Sequence, residues 1–274
     1  MRLVVKLAGA LLEDAGGLAP IAQQIAALAA EGNQLLVVHG GGKIFTATLA
    51  RMGVESRFVN GLRVTDRETR DAAVMVLGGL LNKRVAAAIT QAGRPAVGLC
   101  ASDAACFTAE PMADDCGALG YVGYLTGVNL VFLEALWRAG IVPVAACLGL
   151  GADHELYNIN ADHMAAACAE FTGAERLIYL TDVAGVLDQG RVLKSVSCAR
   201  VEELIRENTV SGGMVLKLEA ARRALDGGVS QVHIVGGTLP GGLLTAANGG
   251  KGLGTRVHSA HSTSRPRAAP GASR

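Results

Sequence analysis

Leu35-Leu-Val-Val-His39-Gly-Gly-Gly42 decides the fold. An apolar, β-branched run of this length suits a strand buried on both faces, and three glycines end it abruptly. Glycine lets backbone N–H groups approach an anion closely, and the helix expected over Ile44–Met52 adds its positive end. The pattern repeats on either side. Leu3–Leu7 reads as a buried strand, and Leu18–Ala30 as a helix with Ile21, Ile25, Leu28 and Ala29 on one face; Pro20 is tolerated in a first turn. Further strands are expected at Ala96–Leu99, Ile141–Ala146, Leu177–Leu180 and Val232–Val235. Helices are expected at Asp66–Ala92, Leu130–Ala139, Ala161–Thr172, Val201–Asn208 and Lys217–Asp226, with Thr65 or Asp66 capping the first of these. Such alternation predicts an α/β fold, a three-layer αβα sandwich around a mainly parallel open sheet.

Composition agrees. Of 274 residues half are hydrophobic, 18% charged and 4% aromatic, so the core must be built from Ala, Val, Leu and Ile. The net charge of +1 gives no reason to expect nucleic acid or an anionic membrane as partner, and any anion site must be local. The amino terminus lacks the length and cleavage pattern of a signal peptide, and no run reaches the roughly 18 apolar residues of a membrane span. Cys100, Cys106, Cys116, Cys147, Cys168 and Cys198 form no Cys-x-x-Cys pair, which predicts reduced, buried thiols in a cytoplasmic protein. The six histidines show no metal-ligand spacing, so no protein-bound metal is expected. Val54–Val64 reads as a hairpin or irregular loop, and Ala101–Leu125 as a hairpin excursion over the sheet. A lobe boundary is expected near Gly173, separating residues 1–173 from 174–258. Residues 259–274, rich in Ser, Pro, Ala and Arg, read as a disordered tail.

The chemistry concentrates at strand ends, where ligands collect in open α/β sheets. Lys6-Leu-Ala-Gly9 and His39-Gly-Gly-Gly42 both sit there, and neither matches a P-loop or a dinucleotide fingerprint. Lys6 in an apolar strand either reaches out or serves a buried anion. Lys217 follows Ser211-Gly212-Gly213-Met214 and precedes the expected helix. Two such cations flanking glycine turns suit phosphoryl transfer. Arg63, in Asn60-Gly-Leu-Arg63, offers a fork for a carboxylate, or is simply exposed in a loop. Asp162, in Tyr157-Asn-Ile-Asn-Ala-Asp162, either caps the next helix or orients the two lysines. Thr181-Asp-Val-Ala-Gly-Val-Leu187 after a strand is a nucleotide loop or a plain turn. No nucleophile–base set stands out, as expected when the substrate's own ionised carboxylate attacks.

Together these residues resemble the amino-acid kinase family, and within it the branch acting on N-acetyl-L-glutamate in arginine biosynthesis. The resemblance spans residues 2–257. It rests on His39-Gly-Gly-Gly42, Phe58-Val-Asn-Gly-Leu-Arg-Val-Thr-Asp66, Leu156-Tyr-Asn-Ile-Asn-Ala-Asp162, Leu180-Thr-Asp-Val-Ala-Gly-Val186 and Gly212-Gly-Met-Val-Leu-Lys217. It implies an N-lobe for the acyl amino acid and dimerisation, a C-lobe for ATP, and transfer of the γ-phosphoryl group to the side-chain carboxylate. By the same resemblance Lys6 and Lys217 stabilise that group, Asp162 organises them, and Gly9 and Gly41 donate N–H groups to it. Gly41, Gly42, Arg63 and Asn158 would hold substrate. Thr181, Asp182, Val183, Gly185, Val186, Ser211, Gly212 and Gly213 would hold ATP, with Mg2+ carried by the nucleotide. A homodimer without arginine feedback is implied, since the N-terminal helical extension of arginine-inhibited hexameric relatives is missing. Two alternatives share the motifs: a kinase for glutamate or aminoadipate linked to a carrier protein, and a non-catalytic binding protein. Three departures stand out. Ala8 replaces a glycine of Lys-Leu-Gly-Gly, Ala101-Ser-Asp-Ala-Ala105 replaces a Ser-Gly-x-Asp-Gly turn, and the end helix is eroded to Thr245-Ala-Ala-Asn-Gly-Gly-Lys251.

Overall fold

The computed structural model describes residues 1–13, 15–113, 119–250 and 252–259. Cys116, Lys251 and all of the expected tail except Ser259 lie outside the described residues. In chain order the main elements are β1 (Arg2–Leu7), α1 (Ala15–Ala30), β2 (Gln34–His39), α2 (Gly42–Arg51), α3 (Arg67–Gln91) and β3 (Ala96–Leu99). They continue with α4 (Leu130–Arg138), β4 (Val142–Ala146), α5 (Ala161–Thr172), β5 (Arg176–Thr181), β6 (Ser195–Ser197) and α6 (Cys198–Arg206). The chain closes with α7 (Gly213–Asp226), β7 (Gln231–Gly236), α8 (Gly242–Ala247) and β8 (Thr255–His258). The central sheet runs β6-β8-β7-β5-β1-β2-β4-β3, and only β7 against β8 is antiparallel.

Alternation along β1 feeds two cores. Leu3, Val5 and Leu7 pack with Ile21, Ile25 and Leu28 of α1, with Val85 and Ile89 of α3, and with Leu243 and Ala246 of α8. Val4 faces the other layer, where Met164, Ala165 and Cys168 of α5 lie with Leu218 and Ala221 of α7. Both sheet faces are thus covered, which is why the strands read as near-continuous apolar runs. Each fully buried Leu, Ile or Val stabilises the fold by about 1.5–3 kcal/mol relative to exposure.

Three local expectations are refined. Asp66 is the cap of α3, accepting the Thr69 N–H. The helix runs as one rod but passes through a π-helical stretch at Val74–Leu81, around the weak helix formers Gly78 and Gly79. By length and composition α3 alone among the described helices would pass for a membrane span, yet 56% of that window is buried inside the fold. The segment Val54–Val64 is a hairpin. Phe58 pairs with Arg63 and Val59 with Leu62 across Asn60-Gly61, both at positive φ, the Asn-Gly signature of a tight two-residue turn. Of the 101–125 excursion, residues 114–118 lie outside the described residues; in the rest Phe107–Pro111 pairs antiparallel with Gly123–Val128 in a second, four-stranded sheet completed by Leu148–Leu150 and Leu156–Asn158.

Two expectations need correction. α7 starts at Gly213, so Lys217 stands in its second turn rather than at a helix start. Gly212 makes this possible by taking φ 56° and ψ −133°, a backbone only glycine tolerates well. The shortened end helix nevertheless forms, as α8.

Candidate active site

Parallel pairing fixes the first catalytic candidate. Lys6 is in register with Val38 of β2 and Tyr179 of β5, on the sheet face opposite Leu7. Above it, Asn160 caps α5 by accepting the N–H groups of Asp162 and His163. Asp162 is therefore not the cap. It lies in the first turn and turns its carboxylate onto the sheet, where Lys6 Nζ and Lys217 Nζ each reach its Oδ1 at 2.8 Å. The two ammonium nitrogens are at most twice that distance apart. Both lysines are 6% exposed and Asp162 8%.

Burial alone would push the Asp162 carboxyl up, but the two ammonium groups outweigh it and hold the pKa at about 2. Burial first, and the charge of Lys6 second, lower the Lys217 ammonium to about 8. Two cations on one carboxylate give this buried cluster a net positive charge. Such a surplus at the carboxyl edge of a sheet can hold an anion, a phosphoryl group among them.

The glycine turns close round the same point. Ala8 N donates to Leu180 O and Gly40 N to Leu7 O, both at 2.9 Å, stitching neighbouring strand ends together. A Cβ on Gly9 would lie 2.8 Å from Gly41 N and 2.9 Å from Gly41 Cα. Gly9 is therefore needed because two backbones touch. Gly41 is extended (φ 167°), yet a Cβ there would meet Leu81 Cδ1 at 2.3 Å, so α3 packs directly on the turn. Ala8 sits at φ −65°, ψ 144°, which alanine adopts freely, so this position does not need glycine's positive φ.

Beside the triglycine turn lies a cavity of about 180 Å³ lined by Gly42, Phe45, Phe58, Arg63, Leu77 and Asn158 among others. Its wall includes Asn160 and Ala161, so it abuts the start of α5 and Asp162. The Arg63 guanidinium is sandwiched between Phe45 (4.7 Å) and Phe58 (4.6 Å), donates to Ser56 Oγ at 2.6 Å and Thr46 Oγ1 at 2.7 Å, and has its pKa lowered by burial. Stacking and hydrogen bonds fix the plane of its fork before any ligand arrives. Asn158 Nδ2 donates to Thr65 Oγ1 at 3.1 Å, which donates to Arg63 O at 2.8 Å. Arg63 and Asn158 thus belong to one wall.

Residues 1–236 match the model of the amino acid kinase family. The chain belongs to that family. An acetylglutamate kinase from Koribacter versatilis is 50% identical over 241 residues, 87% of this chain and 91% of that protein. Another from Solibacter usitatus is 45% identical over 258 residues, 94% of this chain and 99% of the relative. Among solved structures, smu.665 from Streptococcus mutans superposes with a TM-score of 0.81 at 30% identity, over 94% of this chain and 98% of that one.

In this member of the family the expected nucleotide residues divide. Thr181 is buried and donates through Oγ1 to Asp182 Oδ1 at 3.1 Å, while Asp182 and Val183 are exposed at the sheet edge. Ser211, Gly212 and Gly213 are also exposed, just ahead of α7. Val186 is different: its side chain is buried in the core and its N–H already donates to Thr255 Oγ1 at 2.9 Å. Gly185 (φ 156°) is held against the same threonine, where a Cβ would lie 2.7 Å from Thr255 Oγ1.

Several residues of the site escaped the sequence reading. Phe45, Ser56, Phe58 and Thr46 set Arg63, and of these only Phe58 had a signal, through its pairing with Arg63 across the Asn-Gly turn. His39 is fully buried, its pKa lowered to about 4 by burial, with Nδ1 2.9 Å from Gly40 O and Nε2 3.2 Å from Asn82 Nδ2. It braces the triglycine turn from behind and offers no charge to a ligand. Cys147 Sγ donates to His39 O at 2.8 Å, and burial pushes its thiol up to about 12. The five described cysteines are all free, and among the described residues no cluster of His, Cys, Asp and Glu is arranged to hold a metal ion.

Proposed function

We propose that this chain phosphorylates the side-chain carboxylate of N-acetyl-L-glutamate with ATP, a step of arginine biosynthesis. The observation that carries the reading is the pair Lys6 and Lys217 on one oxygen of Asp162, next to the Arg63 pocket. Relatives named acetylglutamate kinase, covered over nearly their whole length, fix the substrate class.

A side-chain carboxylate oxygen attacks the γ-phosphorus of ATP. The bond from phosphorus to the bridging oxygen breaks, its electron pair leaves on ADP, and an acyl phosphate remains. The nucleophile is already ionised, so no general base is required. Lys6, Lys217 and the N–H groups of Gly9 and Gly41 face the transferring group, where negative charge spreads in the transition state. Asp162 keeps the two ammonium groups from repelling each other apart. Arg63 takes the substrate's α-carboxylate with its fork, and Asn158, Gly41 and Gly42 complete the acyl site.

ATP lies over Thr181, Asp182, Val183 and Gly185 and beside Ser211, Gly212 and Gly213, in the 174–258 lobe; the 1–173 lobe holds the acyl amino acid. Magnesium would be carried by the nucleotide's own phosphates. The enzyme works as a cytoplasmic homodimer. Met75 (57% exposed) and Leu80 (41% exposed) are apolar side chains on α3 that a second copy would cover. Light scattering should return twice the 28.0 kDa chain mass; a monomer at working concentration would remove that part.

A coupled ADP-release assay with hydroxylamine to trap the acyl phosphate tests the reaction. N-acetyl-L-glutamate should give hydroxamate far faster than L-glutamate or N-acetyl-aminoadipate. Hydroxamate only with carrier-linked glutamate or aminoadipate would reassign the substrate, and ATP binding without turnover on any carboxylate would reduce the chain to a binding protein.

A further inference from the structure

Tyr179 is a fully buried tyrosine that the phosphoryl-transfer scheme does not use. Register places it beside Lys6, since the two are paired residues of β1 and β5. Its ring lies under the other lysine, with Lys217 Nζ 4.9 Å from the ring centroid. Its hydroxyl donates to the main-chain oxygen of Asp162 at 3.1 Å. One side chain therefore touches or neighbours all three members of the charged cluster. It does so where two buried ammonium groups share one carboxylate.

We infer that Tyr179 is a positioning residue whose ring face, rather than its hydroxyl, keeps the Lys217 ammonium charged and aimed at the phosphoryl site before nucleotide arrives. The inference rests on the phosphoryl-transfer reading of this site. An aromatic face carries negative quadrupole density, and a desolvated ammonium within about 6 Å of it gains more than an exposed one would. Asp162 Oδ1 is already shared with Lys6, so it cannot compensate both cations fully. The other groups around Lys217 do not replace the ring. Lys6 repels it. His163, beside Asp162 on α5, has its pKa lowered by burial and is neutral at alkaline pH, while Glu219 and Arg223 lie further along Lys217's own helix.

The test compares Tyr179→Phe with Tyr179→Leu and Tyr179→Met by the pH profile of kcat/KM for ATP, which reports groups of the free enzyme. Thermal unfolding certifies that each variant folds. Removing the ring should move the alkaline limb down by about one pH unit in the leucine and methionine variants, the size expected for a lost desolvated cation–π contact. Tyr179→Phe keeps the ring and should keep the limb where the unaltered protein has it. Methionine fills a volume close to the ring's, so it carries the comparison if the leucine variant does not fold. A limb that moves equally in Tyr179→Phe would assign the effect to the hydroxyl and Asp162. A limb unmoved in every folded variant would remove the role altogether. An unaltered protein that turns over no carboxylate would instead strike the underlying reading, so the two failures are distinguishable.

Discussion

Lys217 carries the consequence for pH. It must be protonated to stabilise the transferring phosphoryl group, and in the free protein its pKa is lowered to about 8 by burial and by Lys6. A cation with a lowered pKa loses its proton early, so kcat/KM for ATP should fall as pH rises through about 8. Bound phosphates favour the charged form, so kcat should hold to higher pH. Paired pH profiles check this, and kcat/KM level up to pH 10 would contradict it. Arg63 makes a prediction of a different kind. Lysine at this position keeps charge but loses the stacked, planar fork between Phe45 and Phe58. Arg63→Lys should raise KM for the acyl substrate about 10- to 100-fold with a smaller effect on kcat, because a positioned bidentate pair contributes about 1.5–3 kcal/mol. Steady-state kinetics at saturating ATP decide between this and a pure kcat loss.

At the scale of elements, most strands and helices were legible because apolar runs and helical spacing are local. Their ends were less so. The sequence placed Lys217 at the head of its helix, and Gly212 moved that head back to Gly213 by adopting a backbone that composition does not reveal. Between the two readings of Asp162, cap or organiser of the lysines, the structure decides for the second, because Asn160, two residues earlier, takes the cap. The sheet neighbour of Lys6 was beyond reach for another reason: which residue of β5 sits beside it depends on the register of β1 against β5, a pairing across some 170 positions. The 101–105 turn shows the reverse, a sequence departure with a local cost. Ala104 (φ 53°) and Ala105 (φ 46°) occupy left-handed backbone, and at Ala105 the family pattern provides glycine. Ala105→Gly should therefore stabilise the fold by about 1 kcal/mol, net of glycine's greater chain entropy, and raise Tm by about 2–4 °C. Calorimetry that shows a lower Tm would mean the turn is not strained.

Across the whole molecule, an eight-stranded sheet brings together residues from far apart in the chain: Lys6, the turn after His39, Asp162 and Lys217. The glycine turns and the αβα architecture could be read beforehand because each is written in a few neighbouring residues. The single shared carboxylate oxygen, the sandwiched arginine and the buried surplus charge could not, because they exist only once the sheet is assembled. That surplus charge is the centre of the account, and Lys217→Ala tests it most directly. Removing Lys217 leaves Lys6 and Asp162 as a balanced buried pair, so the fold should survive, whereas Asp162→Asn would strand two buried ammonium groups and cost about 3–5 kcal/mol. Kinetics of Lys217→Ala with ATP-Mg and N-acetyl-L-glutamate should show kcat lowered by about 10²–10³, with a much smaller rise in KM for ATP, as befits charge used mostly in the transition state. Unchanged kcat with a raised KM would make Lys217 a ground-state binding group and contradict the central claim.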